Sequence, residues 1–557
     1  MRLITVFAAC FGFLATLACA GVTRVEIATR ADIGSSGYEK LVGKIHFAVD
    51  PAHPRNAVIA DLGLAPVNAA GRVEFSSDFY VLRPKDAAKG NGAAIVEVSN
   101  RGGKGLLSNF NRGGKTDPIT DADLGDGFLM KQGFTLVWAG WEFDVPPTPG
   151  LLRIDVPVAT QRGRTITGEV HAQFVVDAPT KTMAVTDLAA YPPVDAAAVA
   201  AAKLLARAPA GASGADPEAK PVPRERWTLS GHKLEMASGF APGWRYELIY
   251  TSSNPPIAGL GFAAIRDVAV WLKSDNALLP PLRHTYAFGI SQSGRFLRDF
   301  LYHGFNTDEN ERAVYDGVIS HIAGAARIDL NRRWATPRSL GRYPVAGYPF
   351  ADTAQPDGET GVKEGLLENA RVKHVPNVFY TNTSVEYVGG GRVAALVHAD
   401  PLRERDLPLP ESVRFYSFAG TQHGPARFPP PEPTTTQQRA NPANFWWLMR
   451  ALLPAMHQWV TAGTLPPASA YPTLREKTLV PPSHLNAPDL PAFAAIRRLT
   501  VAGSRAANPL LPNSGNVAGP LPLWIAQVDA DGNELAGIKL PEVAVPLASY
   551  TGWNYRS

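Results

Sequence analysis

Cysteine is almost missing: only Cys10 and Cys19 occur in 557 residues. Both sit in an N-terminal stretch with an early Arg2, an apolar run from Leu3 to Leu17 and a small-x-small pattern at Ala18-Cys19-Ala20. That pattern reads as a signal peptide over residues 1–20, cleaved after Ala20. The rival reading makes Cys19 a lipid-modified cysteine, but Thr16-Leu17-Ala18 fits that processing pattern poorly. A chain cleaved after Ala20 has no thiol, which excludes disulfides, a cysteine nucleophile and thiolate metal sites. It would suit a secreted or periplasmic location.

Charge of one sign is lacking too. Lys and Arg number 54 against 50 Asp and Glu, a net of +4, with no dense basic stripe. Nucleic-acid binding therefore has no electrostatic footprint. Beyond the leader no apolar run approaches the roughly 20 residues of a membrane span. Zinc-protease, phosphate-cradling and dinucleotide motifs are absent, and no cofactor or metal is expected. Asp529-Ala530-Asp531-Gly532-Asn533 has the spacing of a calcium loop, but Glu534 stands where that loop needs glycine, so a hairpin turn is the better reading.

What the sequence does hold is globular: 45% hydrophobic and 19% charged residues, with 50 glycines and 49 prolines scattered along the chain. Alternating runs between Val22 and Pro84 predict a leading β-layer. Mostly apolar runs at Ala93–Val98, Phe134–Trp138, His284–Ile290, Gly317–Ile322, Val378–Thr381 and Val413–Phe418 predict buried, mostly parallel strands. Helices are expected at 260–271, 295–303 and 444–461, the last kinked at Pro454. The fold class is α/β, with one large domain over 21–465. It carries a partly β insertion at about 146–256, including an Ala/Pro-rich flexible link from Ala196 to Pro223, and a cap-like segment at about 325–373. A C-terminal extension, 466–557, is expected to pack on that core.

The most specific motif is Gly289-Ile290-Ser291-Gln292-Ser293-Gly294, between a strand and a helix. A tight turn there would lift Ser291 above the sheet within reach of a base. Such a turn needs small residues two before and two after the nucleophile, and Gly289 and Ser293 supply them. Ser293 is the competing nucleophile, although Arg295 is too large for its downstream position. A structural turn with Ser291 as helix cap is the bland alternative. In this strand order the acid and then the histidine follow the nucleophile. His423 follows an apolar strand through Gly420-Thr421-Gln422 and is the expected base. Glu386 is the first carboxylate after the strand ending near Tyr380, with Asp400 as the alternative acid. The backbone N–H of Gln292 and one from Arg101 or Gly102 are candidates for the oxyanion hole. His321, Arg295, Trp138 and Trp141 could line a pocket but suit the core better. Arg332 and Arg333 are read as solvated.

With those residues in place, the chain resembles the bacterial exported "alpha/beta hydrolase domain" family. The resemblance rests on residues 100–104, 138–141, 256–267, 289–298, 316–325, 381–387 and 420–424, spanning about 90–430. It implies an α/β-hydrolase fold, a Ser291, Glu386 and His423 triad and ester hydrolysis as a class, and the expected substrate is a small or medium carboxylic ester or lactone. Val388-Gly389-Gly390-Gly391 departs from the family's pattern. Amide cleavage or acyl transfer on the same triad, and a non-catalytic binding relic of the fold, are the competing functions. The oligomeric state is not legible.

Overall fold

The computed structural model describes residues 21–209, 218–337, 348–357, 361–389, 393–499, 501–504 and 520–555. Residues 1–20, with the expected signal peptide and both Cys10 and Cys19, lie outside the described residues, as do Gly390 and Gly391.

Among the described residues the main sheet has ten strands, nine along its path, β1 (Val22–Asp32), β2 (Tyr38–Val49), β3 (Val73–Pro84), β4 (Ala93–Val98), β5 (Thr135–Ala139), β6 (His284–Ile290), β7 (Gly317–His321), β8 (Asn377–Thr383) and β9 (Val413–Phe418), and a short one at Ile154–Asp155 paired with β3. Their spatial order is β1-β2-β3-β5-β4-β6-β7-β8-β9. The first three pair antiparallel, and β3 runs antiparallel to β5. From β5 onward every neighbour is parallel. This is the α/β-hydrolase arrangement.

Burial explains the division. All six residues of β4 and all five of β5 are buried, as a strand covered on both faces requires. The edge strand β1 instead exposes most of its side chains. Charges defend it: Arg30 pairs with Glu39 and Lys85 with Asp32, which discourages pairing with another chain. Helices α1 (Leu260–Lys273) and α2 (Gln292–Tyr302) pack on the sheet, and α2 contacts both β6 and β7. Further along lie the short α3 (Ser384–Val388) and the long α4 (Trp446–Ala462), which continues through Pro454.

The Ala196–Pro223 segment differs from the flexible link expected. Asp195 caps a helix at Ala196–Ala201 by accepting from the Ala198 N–H at 2.7 Å. Lys203–Arg207 then pairs antiparallel with both Lys220–Val222 and Arg245–Ser253. Alternation explains the strand: Leu204 and Ala206 are buried while Lys203 is exposed, a two-residue period that the alanine content masked. Residues 210–217 of this segment, and 338–347 and 358–360 of the cap-like stretch, are outside the described residues.

Candidate active site

The parallel strands bring four loops to one edge of the sheet. Ser291 directly follows β6, the Asn100–Gly102 turn follows β4, Glu386 lies just beyond β8, and His423 lies beyond β9.

Ser291 adopts φ 57° and ψ −105°, a conformation few L-residues take. Such strain costs about 1–3 kcal/mol and persists only where surroundings enforce it. Here they do. A Cβ on Gly289 would lie 2.4 Å from the Ser293 carbonyl oxygen, and one on Gly294 2.8 Å from the His321 oxygen, so both positions accept only glycine. The Ser291 N–H donates to the His321 carbonyl at 2.8 Å, tying the turn to β7. Ser293 is no rival in this geometry: it is buried, and its hydroxyl donates to the Ile290 carbonyl at 3.0 Å and accepts from the Ile290 N–H at 2.8 Å. The Ser291 side chain makes no capping hydrogen bond to its helix. Its Oγ instead lies 3.0 Å from His423 Nε2.

The other face of the His423 ring meets Glu386, with Nδ1 to Oε1 at 2.7 Å. An ionised carboxylate only accepts, so Nδ1 carries the proton and Nε2 is left to accept from the serine hydroxyl. Glu386 is fully buried, and its second oxygen accepts from the Thr383 N–H at 2.8 Å and from the Thr383 hydroxyl, a capping box that opens α3. Asp400 is buried elsewhere. It accepts from the Leu402 N–H at 2.9 Å and pairs with Arg403 at 3.0 Å, closing its own turn. Beneath the serine turn lies His321, whose Nδ1 meets Thr381 Oγ1 at 2.8 Å while its ring packs on Phe445 and Trp446. Burial pushes it down to about 3, so it is neutral beside Glu386 and His423.

Gln292 opens α2, so its N–H is one of the donors that a helix start leaves without an intrahelical partner. The Asn100–Gly102 turn is also strained: Arg101 has φ 50° and Gly102 φ 75°, where a Cβ would meet the Leu152 oxygen at 2.7 Å. Asn100 Nδ2 donates to the Ile290 carbonyl at 3.2 Å, binding this turn to the serine turn. A buried ion cluster holds it from behind. Arg101 bridges Asp144 at 2.9 Å and Glu142 at 3.2 Å, and Glu142 Oε1 also accepts from the Gln292 side chain. Burial raises the Glu142 carboxyl, with the neighbouring Asp144 adding to the rise and Arg101 opposing it. Sequence reasoning missed Glu142; its only local signal is an acid two residues from Asp144 after an apolar strand.

Trp138 and Trp141 are buried, donating to the Glu97 carboxylate and, at 2.6 Å, to the Ser99 carbonyl. Arg295 is buried on α2. Arg332 pairs with Asp329, and Arg333 with Asp61 at 2.7 Å.

A family model described as "Alpha/beta hydrolase domain" matches residues 184–557, about two-thirds of the chain. The stretches at 100–104 and 138–141 lie ahead of that match. Among solved structures, the glucuronoyl esterase from Solibacter usitatus matches at 11% identity and a TM-score of 0.26, covering 72% of this chain and 82% of that one. No curated protein matches.

Proposed function

From the premise that the chain belongs to the alpha/beta hydrolase domain family, we propose that it is a serine hydrolase cleaving a carboxylic ester or lactone through Ser291, His423 and Glu386. One observation carries this reading: an unbroken line of contacts from Ser291 Oγ to His423 Nε2 at 3.0 Å and from His423 Nδ1 to Glu386 at 2.7 Å. A serine hydroxyl alone is a poor nucleophile, and a base within hydrogen-bond reach is what activates it.

In the proposed reaction Ser291 Oγ attacks the ester carbonyl while its proton passes to His423 Nε2. Glu386 holds the ring in the required tautomer and stabilises the imidazolium. The carbonyl oxygen becomes an oxyanion facing the Gln292 N–H and one from the Arg101–Gly102 turn, each worth about 2.7–4 kcal/mol in the transition state. Collapse breaks the bond to the alcohol oxygen, which takes the proton from His423 and leaves. A water then gives a proton to His423 and attacks the acyl-enzyme. The carboxylic acid departs as the proton returns to Ser291.

The apolar run 3–17 and the Ala18-Cys19-Ala20 pattern support, as part of the same proposal, action outside the cytoplasm. Hydrolysis of p-nitrophenyl acetate tests the chemistry. Wild-type turnover should fall by roughly 10⁶ in Ser291→Ala, and hydroxylamine should divert the acyl group to a hydroxamate. A Ser291→Ala variant that still turns over at the wild-type rate would refute the assignment.

A further inference from the structure

The C-terminal extension does more than cover the sheet edge. Its residue Ile538 adds to β9, donating to the Ser417 carbonyl at 2.7 Å and accepting from the Ala419 N–H at 3.0 Å. Just before it, the hairpin closed by the Asp529 N–H to Asn533 oxygen bond at 2.8 Å carries Glu534 into the interior. There Glu534 Oε2 accepts from the Gly420 N–H at 3.1 Å, with the Ser384 hydroxyl beside its carboxylate. Gly420 begins the loop that bears His423, and Ser384 is the first residue of the turn that bears Glu386. The two loops also touch directly: the Thr421 N–H donates to Ser384 Oγ and the Ser384 N–H to the Thr421 carbonyl, both at 3.2 Å.

The last described segment of the chain seals the same junction. A Cβ on Gly552 would lie 2.5 Å from the Val385 nitrogen and 2.7 Å from the Thr421 oxygen. That segment is clamped to the Glu534 hairpin through Asn533, which accepts from the Tyr550 N–H at 2.8 Å and donates to the Ala548 carbonyl at 3.2 Å.

Resting on the hydrolase reading, we propose that Glu534 is a positioning residue for the triad: its carboxyl holds the histidine-bearing loop at Gly420 and, through the adjacent Thr421–Ser384 contacts, sets the separation of Glu386 from His423. Geometry supplies the reason for an acid here. The Gly420 N–H of the histidine-bearing loop points at a buried spot, and a carboxyl accepts it, whereas an apolar residue would leave it without a partner. Burial pushes Glu534 up to about 7, opposed by the neighbouring Ser384 hydroxyl, the Gly420 hydrogen bond and the charge of Lys539. The Gly420 contact therefore does not depend on a full charge, and an amide of the same shape should replace it. The contact it protects is 2.7 Å long, and a drift of about 1 Å between catalytic groups costs on the order of 10² in rate.

The test uses the full chain with p-nitrophenyl acetate and a fluorophosphonate that labels Ser291. Glu534→Ala and Ser384→Ala should each lower kcat and the labelling rate together, by about 10²-fold or somewhat less, with KM within about twofold. Glu534→Gln should restore most of both. If Glu534→Ala does not fold, Ser384→Ala decides, since it removes one oxygen from the same junction. Folded Ala variants with wild-type kcat, or a Gln variant as impaired as Ala, would overturn the positioning role. Failure of the wild type itself to react with the fluorophosphonate would instead sink the serine-hydrolase reading on which the role rests.

Discussion

Replacing Gly289 by alanine adds one methyl group at the point where strand, serine turn and helix meet. That Cβ would stand 2.4 Å from the Ser293 carbonyl oxygen, 2.6 Å from its carbon and 3.0 Å from the Gly294 nitrogen, where ordinary contact begins near 3.4 Å. All three are backbone atoms, so no side chain can swing aside. The first turn of α2 must retreat by about 1 Å, the difference between 3.4 and 2.4 Å. Such a retreat stretches the 2.8 Å bond from the Ile290 N–H to Ser293 and moves Ser291 away from a His423 contact now at 3.0 Å. Overpacking of this kind costs about 1–3 kcal/mol of stability. A misplacement of that size costs about 10² in kcat. Turnover of p-nitrophenyl acetate and urea unfolding of Gly289→Ala measure the two effects separately. Gly63→Ala serves as control, because a Cβ there meets nothing within 4 Å. A folded Gly289→Ala enzyme with wild-type kcat would refute the claim that this turn holds the nucleophile.

Other expectations follow from the same geometry. Glu386→Ala should lower kcat by about 10⁴, the scale on which a triad acid acts, whereas Asp400→Ala, whose carboxylate closes its own turn, should change kcat only a few-fold; steady-state kinetics of the pair decides between the acids. His398 is buried against Phe415 and Tyr471, and burial pushes it from 6.5 down to about 3. Below about 6.5 the unfolded chain takes up a proton that the folded one refuses, so stability falls as pH drops from about 6.5 toward about 3. The slope is about 1.4 kcal/mol per pH unit for each such proton. His398→Phe should flatten the slope of urea-unfolding stability between pH 6 and 4 by about one proton's worth, with buried His303 and His321 keeping the remainder; an unchanged slope would mean that His398 titrates normally in the fold.

The fold was legible where burial imposes a period. The apolar runs at Ala93–Val98 and His284–Ile290 coincide with β4 and β6, because a strand covered on both faces can carry few polar residues. The serine turn could be read because its steric demand falls within six consecutive residues, and Thr383 with Glu386 forms a local capping box. Contacts between distant residues left no such trace. Glu534 meets Gly420 across 114 positions, and Gln292 meets Glu142 across 150. An isolated acid after a turn looks the same in sequence whether it is solvated or buried beside the loops that bear Glu386 and His423. The Lys203–Arg207 strand was obscured by composition, since alanine reads as neither strand nor core until its partners Tyr246 and Leu248 are known.

The most direct test of the central claim is the mass of the protein after reaction with a fluorophosphonate, followed by peptide mapping of the adduct. One adduct per chain on Ser291, absent in Ser291→Ala and much slower in His423→Ala, is the expected result. An adduct on Ser293 or elsewhere, or none at all on folded wild-type protein, would contradict the account.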